Sequence, residues 1–459
     1  MIAFWETLSV CISMEKRVSV VGLGYVGLCT AVFFAAKGYR VKVSSQSPEK
    51  VEQINAGVPP FYEPQLDDLL KTVVQKGNLV AVLGREEAIL DSDVTFISVG
   101  TPNLPDGSID LKFVCESATE IGKALRKKAE YHLVVVKSTV VPGTTENLVK
   151  PTVEKNSAKI AGDDFGLVMS PEFLREGSAV YDTFNPDRIV IGEFDEHSGA
   201  VFEKLCKLTY GEAPVLRVNC PTAEMIKYAS NAFLATKVSF INEIANICEL
   251  VPGIDVEKVA KGMGLDPRIG SKFLNAGVGW GGSCFPKDIK ALIAFSRKEE
   301  FKPLLLESVV RVNLEQARHV VDLMKEELGR LEGRKIAVLG LSFKPNTSDM
   351  REAPSIRIID ILCKEGAVIH SYDPMAMKDA KEILGDKVNF SQTANECVEG
   401  ADCCLIVTEW DEFKKLGPDD FVKLMKVPFV LDGRRIYDPA KFLERTRYKA
   451  IGLGNGNRG

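Results

Sequence analysis

The chain has 459 residues, about three times the length of a typical single domain, so two or three packed units are expected. Apolar residues make up 45% of the chain and charged residues 26%, a composition that excludes a disordered or fibrous protein. The 58 Lys and Arg against 63 Asp and Glu give a net charge of −5, so no basic excess favours binding to nucleic acid.

The cysteines and the amino-terminal residues indicate which cellular compartment to expect for the protein. The 11 cysteines are scattered, and none of the four histidines is spaced from a cysteine as in a zinc site. Neither a disulfide framework nor a metal site is therefore predicted, and a reducing cytoplasm is expected. No apolar run reaches membrane-spanning length, so no membrane association is expected. Residues 1–13 lack the features of a signal peptide and precede a second methionine, Met14, so we expect a dispensable extension there.

The first half of the chain alternates predicted strands with predicted helices. A β-branched run at residues 17–22 enters a glycine-rich turn and then an apolar helix at residues 28–37. Further buried strands are predicted at 40–43, 94–99, 133–136 and 166–169, with helices at 64–76 and 111–127 among them. This alternation predicts a parallel, doubly wound sheet.

The alternation stops near residue 205 and resumes in the last third of the chain. Residues 222–250 contain no glycine or proline and predict one long helix, and strands return at 335–340, 368–372, 403–407 and 429–431. The expected fold class is α/β, with two Rossmann-like doubly wound domains joined by a long central helix. The predicted divisions are an extension at 1–15, a dinucleotide-binding domain at 16–208, a central helical region at 209–328 and a second Rossmann-like domain at 329–459.

The first glycine-rich turn has the spacing of a dinucleotide-binding site. Gly22, Gly24 and Gly27 complete a G-x-G-x-x-G between a predicted strand and a predicted helix. Such glycines permit a tight turn, a close approach of the backbone to a pyrophosphate, and close packing of helix on strand. The alternative is a turn that serves packing only.

The end of the second predicted strand lacks the acid that usually binds the ribose hydroxyls. Residues 43–47 read Val-Ser-Ser-Gln-Ser, and the expected acidic position falls on Ser45. A carboxylate there would repel a 2′-phosphate, so its absence leaves NADP open beside NAD. Arg40, Lys42 and Lys50 are nearby cations, although each is more often a solvated surface charge.

The segment from Gly279 to Asp288 has the strongest chemical signal in the chain. It reads Gly-Trp-Gly-Gly-Ser-Cys-Phe-Pro-Lys-Asp, and Pro286 belongs to the chemistry of a helix start. A helix amino terminus favours a thiolate, so Cys284 is the cysteine best placed to act as a nucleophile. Asp288 follows about one helical turn later.

Lys227 and Asn231 lie four residues apart in the long predicted helix and therefore share one face. Together they could hold a developing oxyanion, or they could be ordinary surface residues. Other candidates follow predicted strands at residues 98–102, 137–143 and 170–177, where ligands of open α/β sheets bind.

Over residues 16 to 440 the chain resembles the UDP-glucose/GDP-mannose dehydrogenase family of nucleotide-sugar dehydrogenases. The matching motifs lie at 22–27, 61–64, 137–143, 171–177, 227–231, 273–288, 343–352, 408–410 and 432–435. The resemblance implies a nucleotide-binding amino-terminal domain, a central helix that forms a homodimer interface, and a carboxy-terminal domain for a UDP-sugar.

The resemblance also implies a four-electron oxidation of the sugar C6 alcohol with two NAD cofactors in turn. Cys284 would capture the aldehyde as a thiohemiacetal that becomes a thioester. Lys227 and Asn231 would stabilise the oxyanions, and Asp288, Thr139 and Lys227 would organise removal of the first proton.

Further roles are implied for hydrolysis and for binding. Glu172 would activate water for thioester hydrolysis, with Thr139 positioning that water. The implied cofactor contacts beyond the glycines and Ser45 are Tyr25, Val26, Thr101, Ser138, Glu176 and Arg351. The implied substrate contacts are Phe173, Leu174, Arg268, Phe273, Leu274, Asn275, Gly277, Gly281, Lys344 and Arg435, with Arg268 supplied across the dimer interface.

Within the family, the motifs at 273–277 and 343–347 resemble the UDP-glucose branch. Ser283 stands before the cysteine, where N-acetylmannosamine-type relatives usually have histidine, and Trp280 stands where Tyr or Phe is common. Oxidation of GDP-mannose or of a UDP-N-acetylhexosamine is the nearest competing activity. A β-hydroxyacid dehydrogenase, which transfers one hydride and needs no cysteine, also stays open, as does a sensor that binds ligand without turnover.

Overall fold

The computed structural model describes residues 17–454, which divide into two compact units. The first unit takes in residues up to Leu104 together with Ile109–Lys227, and the second takes in Pro105–Ser108 together with the chain from Tyr228 onward. The predicted extension at 1–15 lies outside the described residues. Within residues 17–454 no helix is long and apolar enough to cross a bilayer, and no three His, Cys, Asp or Glu side chains are grouped as metal ligands.

The first unit is built on an eight-stranded sheet. Its strands are β1 (Arg17–Val21), β2 (Arg40–Ser45), β3 (Leu79–Leu83), β4 (Val94–Ile97), β5 (Leu133–Val136), β6 (Gly166–Met169), β7 (Ile189–Glu193) and β8 (Val215–Asn219). They lie in the order β3-β2-β1-β4-β5-β6-β7-β8. The winding reverses between β1 and β4, and this is the point at which open α/β sheets bind ligands beyond the carboxyl ends of their strands.

One pairing departs from the predicted parallel sheet, because β7 runs antiparallel to β6. A parallel connection needs a crossover element that carries the chain back to the starting edge of the sheet. The connection from β6 to β7 holds only a six-residue helix, Ala179–Phe184, and otherwise irregular chain. After β6 the chain therefore turns back, and β7 runs beside β6 in the opposite direction.

Eight α-helices lie wholly within the described part of the first unit. They are α1 (Tyr25–Ala36), α2 (Pro48–Asn55), α3 (Leu66–Gln75), α4 (Glu86–Leu90), α5 (Lys112–Leu125), α6 (Lys150–Ser157), α7 (Ala179–Phe184) and α8 (Glu196–Tyr210), and a π-helical turn at Thr145–Val149 precedes α6. The predicted start of α1 at residue 28 is three residues late. Gly27 therefore lies inside the helix. A Cβ there would collide with the Gly22 carbonyl oxygen, so this glycine serves close packing.

Strand β8 was also not predicted, because the predicted alternation ends near residue 205. The residues of β8 are half-buried or exposed, as expected for a strand at the edge of a sheet. β8 reads Val-Leu-Arg-Val-Asn, so it lacks the continuous apolar run by which central strands such as β5 are recognised.

The second unit has a six-stranded sheet in which every pairing is parallel. Its strands are β9 (Lys335–Leu339), β10 (Val368–Tyr372), β11 (Asn389–Phe390), β12 (Cys403–Ile406), β13 (Phe429–Asp432) and β14 (Arg447–Ala450), in the order β11-β10-β9-β12-β13-β14. The remaining helices are α9 (Cys220–Glu249), α10 (Val256–Gly264), α11 (Phe285–Lys298), α12 (Leu304–Leu328), α13 (Pro354–Lys364), α14 (Met377–Leu384), α15 (Ala394–Val398), α16 (Pro418–Leu424) and α17 (Pro439–Leu443). Two short 3₁₀ turns lie at Gly385–Lys387 and Phe413–Lys415.

The expected fold class is confirmed. Both sheets are Rossmann-like, and α9 is the predicted long central helix, with 30 residues and a boundary between the units that falls inside it. The second sheet does not repeat the glycine fingerprint. A Cβ on Gly340 would meet Thr408, and Asp373 after β10 accepts hydrogen bonds from the N–H groups of Leu341 and Ser342 at 2.8 and 3.0 Å, so protein atoms fill this turn.

Candidate active site

The glycine-rich turn of the first unit combines two packed glycines with one open glycine. Gly22 has a φ of +114°, and a Cβ there would collide with the Ser98 carbonyl oxygen. A Cβ on Gly27 would collide with Gly22 in the same way, whereas one on Gly24 would meet no atom within 4 Å. Gly24 is also the N-cap of α1, so the N–H groups of the first turn of that helix have no side-chain cap. This open space at an uncapped helix start fits the pyrophosphate of a dinucleotide.

Two predicted cofactor residues, Tyr25 and Val26, form the first turn of α1 and are half-buried. The Tyr25 ring lies 4.0 Å from that of Phe61, centre to centre, and its hydroxyl donates to the Tyr62 carbonyl. The 22–27 and 61–64 motifs are therefore in contact within the first unit.

The loops after β4 and β5 are joined by hydrogen bonds between predicted residues. The Ser138 hydroxyl donates to the Val99 carbonyl at 2.7 Å, and the Thr101 hydroxyl donates to the Thr139 carbonyl at 2.9 Å. Ser138 and Thr101 are buried, and Thr139 is half-buried. These bonds fix the backbone around Thr139 next to the carboxyl end of β4.

Ser45 is the last residue of β2, which ends two residues beyond the predicted strand at 40–43, and it is half-buried. Its hydroxyl accepts a hydrogen bond from the Ser47 N–H at 3.1 Å. Ser47 in turn caps α2 by accepting from the Lys50 N–H. Serine hydroxyls and a helix start therefore stand where related sites place a carboxylate.

Glu172 and Lys227 form an ion pair that is almost wholly buried. The distance from Nζ to Oε1 is 2.8 Å, and the two side chains are 7% and 3% exposed. Burial alone would raise the pKa of Glu172, but the charge and hydrogen bond of Lys227, the Leu174 N–H and the charge of Lys137 together bring that pKa below its usual value. Glu172 is therefore an ionised, desolvated carboxylate, and Lys227 is no surface lysine.

Phe173 and Lys137 complete the surroundings of this pair. The Phe173 ring has the Arg188 guanidinium 3.8 Å from its centre and the Lys227 ammonium at 5.7 Å. Burial lowers the pKa of Lys137, and the charge of Glu172 opposes that shift. Sequence reasoning gave Lys137 no role, although it opens the 137–143 motif.

A buried carboxylate that sequence reasoning also missed, Glu63, organises the loop that carries Glu172. Its two oxygens accept from the Gly177 N–H at 2.8 Å and the Ala179 N–H at 2.6 Å. Glu63 is fully buried and lies in the 61–64 motif, so an acid between Tyr62 and Pro64 was the available signal. The predicted cofactor residue Glu176 is half-buried and directly precedes the anchored Gly177.

In the second unit, Cys284 is exposed and directly precedes α11. It is the N-cap residue of that helix, and Pro286 lies in the first turn, as the sequence predicted. The Ser283 hydroxyl lies 3.6 Å from the thiol sulfur. A cysteine at this position has its sulfur in the positive field of the helix terminus, which favours the nucleophilic thiolate.

Asp288 lies one turn into α11 and is held from two sides. Its Oδ2 accepts from Asn231 Nδ2 at 2.6 Å, and its Oδ1 pairs with Lys287 Nζ at 2.6 Å. Asp288 is 1% exposed and Asn231 is 7% exposed. The buried Asp288–Asn231 pair joins the central helix to α11, the helix that Cys284 precedes. Lys287 is a partner of Asp288 that was not predicted from the sequence.

The glycine loop before Cys284 is packed against protein. The Gly277 N–H donates to Asn242 Oδ1 at 2.8 Å, and a Cβ on Gly281 would collide with the Glu352 carbonyl. Trp280 is 9% exposed and donates from its indole N–H to the Ser239 hydroxyl at 2.9 Å. Trp280 is therefore a buried residue that holds the loop, and the lack of side chains at these glycines is required by packing.

The neighbouring predicted substrate residues differ in exposure. Phe273 is half-buried with a φ of +64°, Leu274 is buried, and Asn275 is exposed. Lys344 is half-buried, with its ammonium 5.5 Å from the centre of the Phe343 ring. Asn275 and Lys344 therefore present polar atoms at the surface of the second unit.

The three predicted arginines of the second unit are each paired with a carboxylate. Arg351 pairs with Asp349 at 2.7 Å, and Arg268 is 89% exposed and pairs with Asp266 at 2.6 Å. Arg435 differs, because its side chain is 3% exposed. Its Nη2 lies 2.8 Å from Asp255 Oδ1 and 3.3 Å from Glu257 Oε2, and its Nη1 donates to the Ile451 carbonyl.

Comparison with known proteins covers nearly the whole chain. Models of the UDP-glucose/GDP-mannose dehydrogenase family match in chain order, with the NAD binding domain at residues 16–209, the central domain at 221–315 and the UDP binding domain at 337–439. The chain is 44% identical over 421 residues to the UDP-glucose 6-dehydrogenase YwqF of Bacillus subtilis, covering 92% of this chain and 94% of that protein.

Solved structures of similar proteins also match this chain over nearly its whole length. A UDP-glucose dehydrogenase from Pyrobaculum islandicum superposes with a TM-score of 0.89 at 41% identity, covering 95% of this chain and 98% of that one. A UDP-D-ManNAc dehydrogenase from Pyrococcus horikoshii superposes with a TM-score of 0.83 at 28% identity, covering 95% and 99%. The two Rossmann-like sheets, the central helix and all three family models agree, and the chain belongs to the UDP-glucose/GDP-mannose dehydrogenase family.

Proposed function

We propose that the protein is a UDP-glucose 6-dehydrogenase that oxidises the sugar C6 alcohol to a carboxylate. The observation that carries this proposal is the exposed Cys284 at the start of α11, followed one turn later by the buried Asp288–Asn231 pair. A two-electron alcohol dehydrogenase needs no thiol. A nucleophilic thiol is needed where an aldehyde must be held and oxidised again.

The open space over Gly24 and the uncapped start of α1 in the first unit can accommodate the pyrophosphate of NAD. Gly22, Gly27, Tyr25 and Val26 would hold its pyrophosphate and the adjoining ribose, with further contacts from Ser45, Thr101, Ser138, Glu176 and Arg351. When bound, NAD supplies a hydride acceptor, one molecule for the alcohol and a second for the thiohemiacetal. Ser45 offers no carboxylate against a 2′-phosphate, so NADP is expected to be tolerated.

The chain's own residues would handle the covalent and proton steps. The Cys284 thiolate forms a carbon–sulfur bond at the C6 aldehyde, and the carbonyl electron pair moves to oxygen. Lys227 and Asn231, on one face of α9, would stabilise that oxyanion with an ammonium and an amide N–H. Asp288, fixed by Asn231 and Lys287, would organise the water that takes up the alcohol proton, with Thr139.

Hydrolysis of the thioester would depend on the first unit. Glu172 is ionised at neutral pH because its pKa lies below the usual range, so it can accept a proton from an attacking water. Thr139 would orient that water. The carbon–sulfur bond then breaks, the carboxylate leaves, and Cys284 recovers its thiolate.

UDP-glucose is the substrate best supported by the relatives, because the proteins at 41% and 44% identity carry that name whereas the UDP-D-ManNAc enzyme is 28% identical. The polar surface of the second unit at Asn275 and Lys344 would meet the nucleotide sugar, together with Phe273, Leu274 and the glycine loop. Phe173 and Leu174 would contribute from the first unit, and Arg268 from a partner subunit.

A homodimer through α9 is supported by an exposed apolar stripe on that helix. Phe233, Phe240 and Ile247 are 64%, 46% and 53% exposed and lie seven residues apart, which places them along one face. Large apolar side chains grouped in this way indicate a protein interface.

A panel of nucleotide sugars tests the proposal. We expect turnover with UDP-glucose to exceed that with GDP-mannose and UDP-N-acetylglucosamine, with UDP-glucuronate as the product found by mass spectrometry. Turnover with GDP-mannose alone, or release of an aldehyde as the final product, would contradict it. Replacement of Cys284 by serine is the matched control, since it preserves size and removes the nucleophile.

A further inference from the structure

We propose that Glu224 is a positioning residue that clamps the segment from Thr139 to Thr145 onto α9 and so keeps Thr139 at a fixed position relative to Lys227. This inference rests on the proposed function, which gives those two residues their roles. The clamp itself lies entirely within the first unit.

Both carboxylate oxygens of Glu224 are used by one turn of the chain. Oε2 accepts from the Gly143 N–H at 2.5 Å, and Oε1 accepts from the Thr145 N–H at 2.8 Å and the Thr145 hydroxyl at 2.7 Å. Glu224 is fully buried. Three hydrogen bonds from a single turn to a single carboxylate fix both the distance and the angle of that turn relative to α9.

The other end of the segment is tied to the sheet. The Ser138 N–H donates to the Ile97 carbonyl at 2.9 Å, and the Thr101 hydroxyl donates to the Thr139 carbonyl at 2.9 Å. Thr139 therefore lies between an anchor on β4 and the anchor at Glu224. If the second anchor is lost, the turn around Gly143 can shift, and Thr139 follows it.

The helix links the clamp to the predicted catalytic pair. Glu224 and Lys227 are three residues apart on α9 and therefore share a face. Lys227 holds Glu172 through the buried 2.8 Å ion pair. One turn of α9 thus sets the positions of Thr139 on one side and Glu172 on the other, and these are the two residues proposed to orient and activate the hydrolytic water.

Burial disfavours the ionised form of the Glu224 carboxylate. Burial raises the pKa of Glu224 to about 7, the hydrogen bonds from Thr145 and Gly143 oppose this rise, and the charge of Glu146 adds to it. Cys220, Lys227 and Tyr228 are the other titratable groups on its own helix within one turn. Because the ionised carboxylate is the stronger acceptor for all three bonds, the clamp should weaken as the pH falls below about 7.

Replacement of Glu224 by glutamine tests the clamp while keeping side-chain size. If the amide oxygen serves Thr145, the amide N–H₂ faces the Gly143 N–H, so one donor loses its acceptor. We expect kcat to fall about 10- to 100-fold, the effect of a displacement of about 1 Å, while the KM for UDP-glucose changes less than about twofold. A fall in kcat of less than about twofold, or a rise in KM with kcat retained, would overturn the proposal.

The pH profile separates positioning from a general loss of stability. The wild-type kcat should have an acidic limb near pH 7 that E224Q lacks. The control E146Q removes the charge that raises the pKa of Glu224, so it should move that limb to lower pH without abolishing it. An unchanged limb in E224Q would overturn the proposal.

Variants at Thr145 keep the test decisive if E224Q does not fold. Thr145→Val removes one of the three hydrogen bonds without changing size, and Thr145→Ser keeps the hydroxyl. We expect kcat to be lower for T145V than for T145S, and equal values would overturn the clamp.

Amide exchange separates the failure of the clamp from the failure of the proposed function. If the wild-type protein does not oxidise UDP-glucose, the proposed function fails, and hydrogen exchange at Gly143 and Thr145 then tests the clamp alone. Faster exchange in E224Q than in wild type supports the clamp, and equal rates contradict it.

Discussion

Replacement of Lys227 by methionine should separate the structural role of this residue from its proposed catalytic role. Methionine fills a similar volume but carries no charge. The change leaves the Glu172 carboxylate buried without its 2.8 Å partner, with the Leu174 N–H as a remaining donor.

The size of the effect follows from the burial of both side chains. They are 7% and 3% exposed, so solvent screens the pair little. Removing one partner of such a pair costs about 3–5 kcal/mol, and we expect the free energy of unfolding to fall by that amount at neutral pH. Loss of an oxyanion donor costs about 10²- to 10³-fold in kcat, and we expect activity to fall to that extent as well.

The sign of the pH dependence provides a second test. In the wild type the folded pKa of Glu172 is below its usual 4.5, so the stabilisation by the pair is present at neutral pH and lost as the pH falls through the folded pKa. In K227M burial dominates and the folded pKa of Glu172 rises above 4.5. The stability deficit of K227M should therefore shrink as the solution is acidified.

The double variant K227M/E172Q distinguishes the two roles. Urea unfolding followed by circular dichroism should show that it recovers most of the stability lost in K227M, because no uncompensated charge remains buried. Steady-state turnover should not recover. If K227M and the double variant are equally stable, or if K227M keeps turnover within about tenfold of wild type, the reasoning on this pair is refuted.

Further variants test the cofactor site and the proposed homodimer. Gly24→Ala should weaken NAD binding, measured by calorimetry, and leave the melting temperature nearly unchanged, because a Cβ there meets open space. Its control Gly27→Ala should lower the melting temperature, because a Cβ there collides with Gly22. Equal melting temperatures for the two variants would contradict this. Ser45→Asp should raise the ratio of kcat/KM for NAD over NADP at least about tenfold by adding a ribose acceptor that repels a 2′-phosphate, and an unchanged ratio would argue against Ser45 as the ribose position. Phe240→Lys should convert dimers to monomers in sedimentation velocity, and an unchanged sedimentation coefficient would exclude this face as the interface.

The sequence predicted β5, β6 and the start of α11 well, because these depend on local patterns. β5 and β6 are continuous apolar runs, and they were predicted with the residues that the structure gives them. The N-cap position of Cys284 followed from Pro286, whose ring suits the first turn of a helix. The burial of Lys227 stayed open from the sequence, and the structure resolves it by pairing Lys227 with Glu172.

Other features escaped the sequence because they depend on contacts between distant segments. Glu63 bonds to backbone more than a hundred residues away, and Glu224 bonds to a turn about eighty residues away. No spacing rule reveals a carboxylate that accepts from backbone N–H groups. The antiparallel β7 was missed for a related reason, since strand direction is set by the path of an irregular connection.

The most direct test of the proposed oxidation is the number of cofactor molecules reduced per molecule of UDP-glucose when the sugar is limiting. We expect two molecules of NADH per sugar for the wild-type protein, and we expect this yield to be lost when Cys284 is replaced by serine. A value of one for the wild type, or a Cys284→Ser variant that still reduces two, would contradict the proposal that this thiol carries a four-electron oxidation.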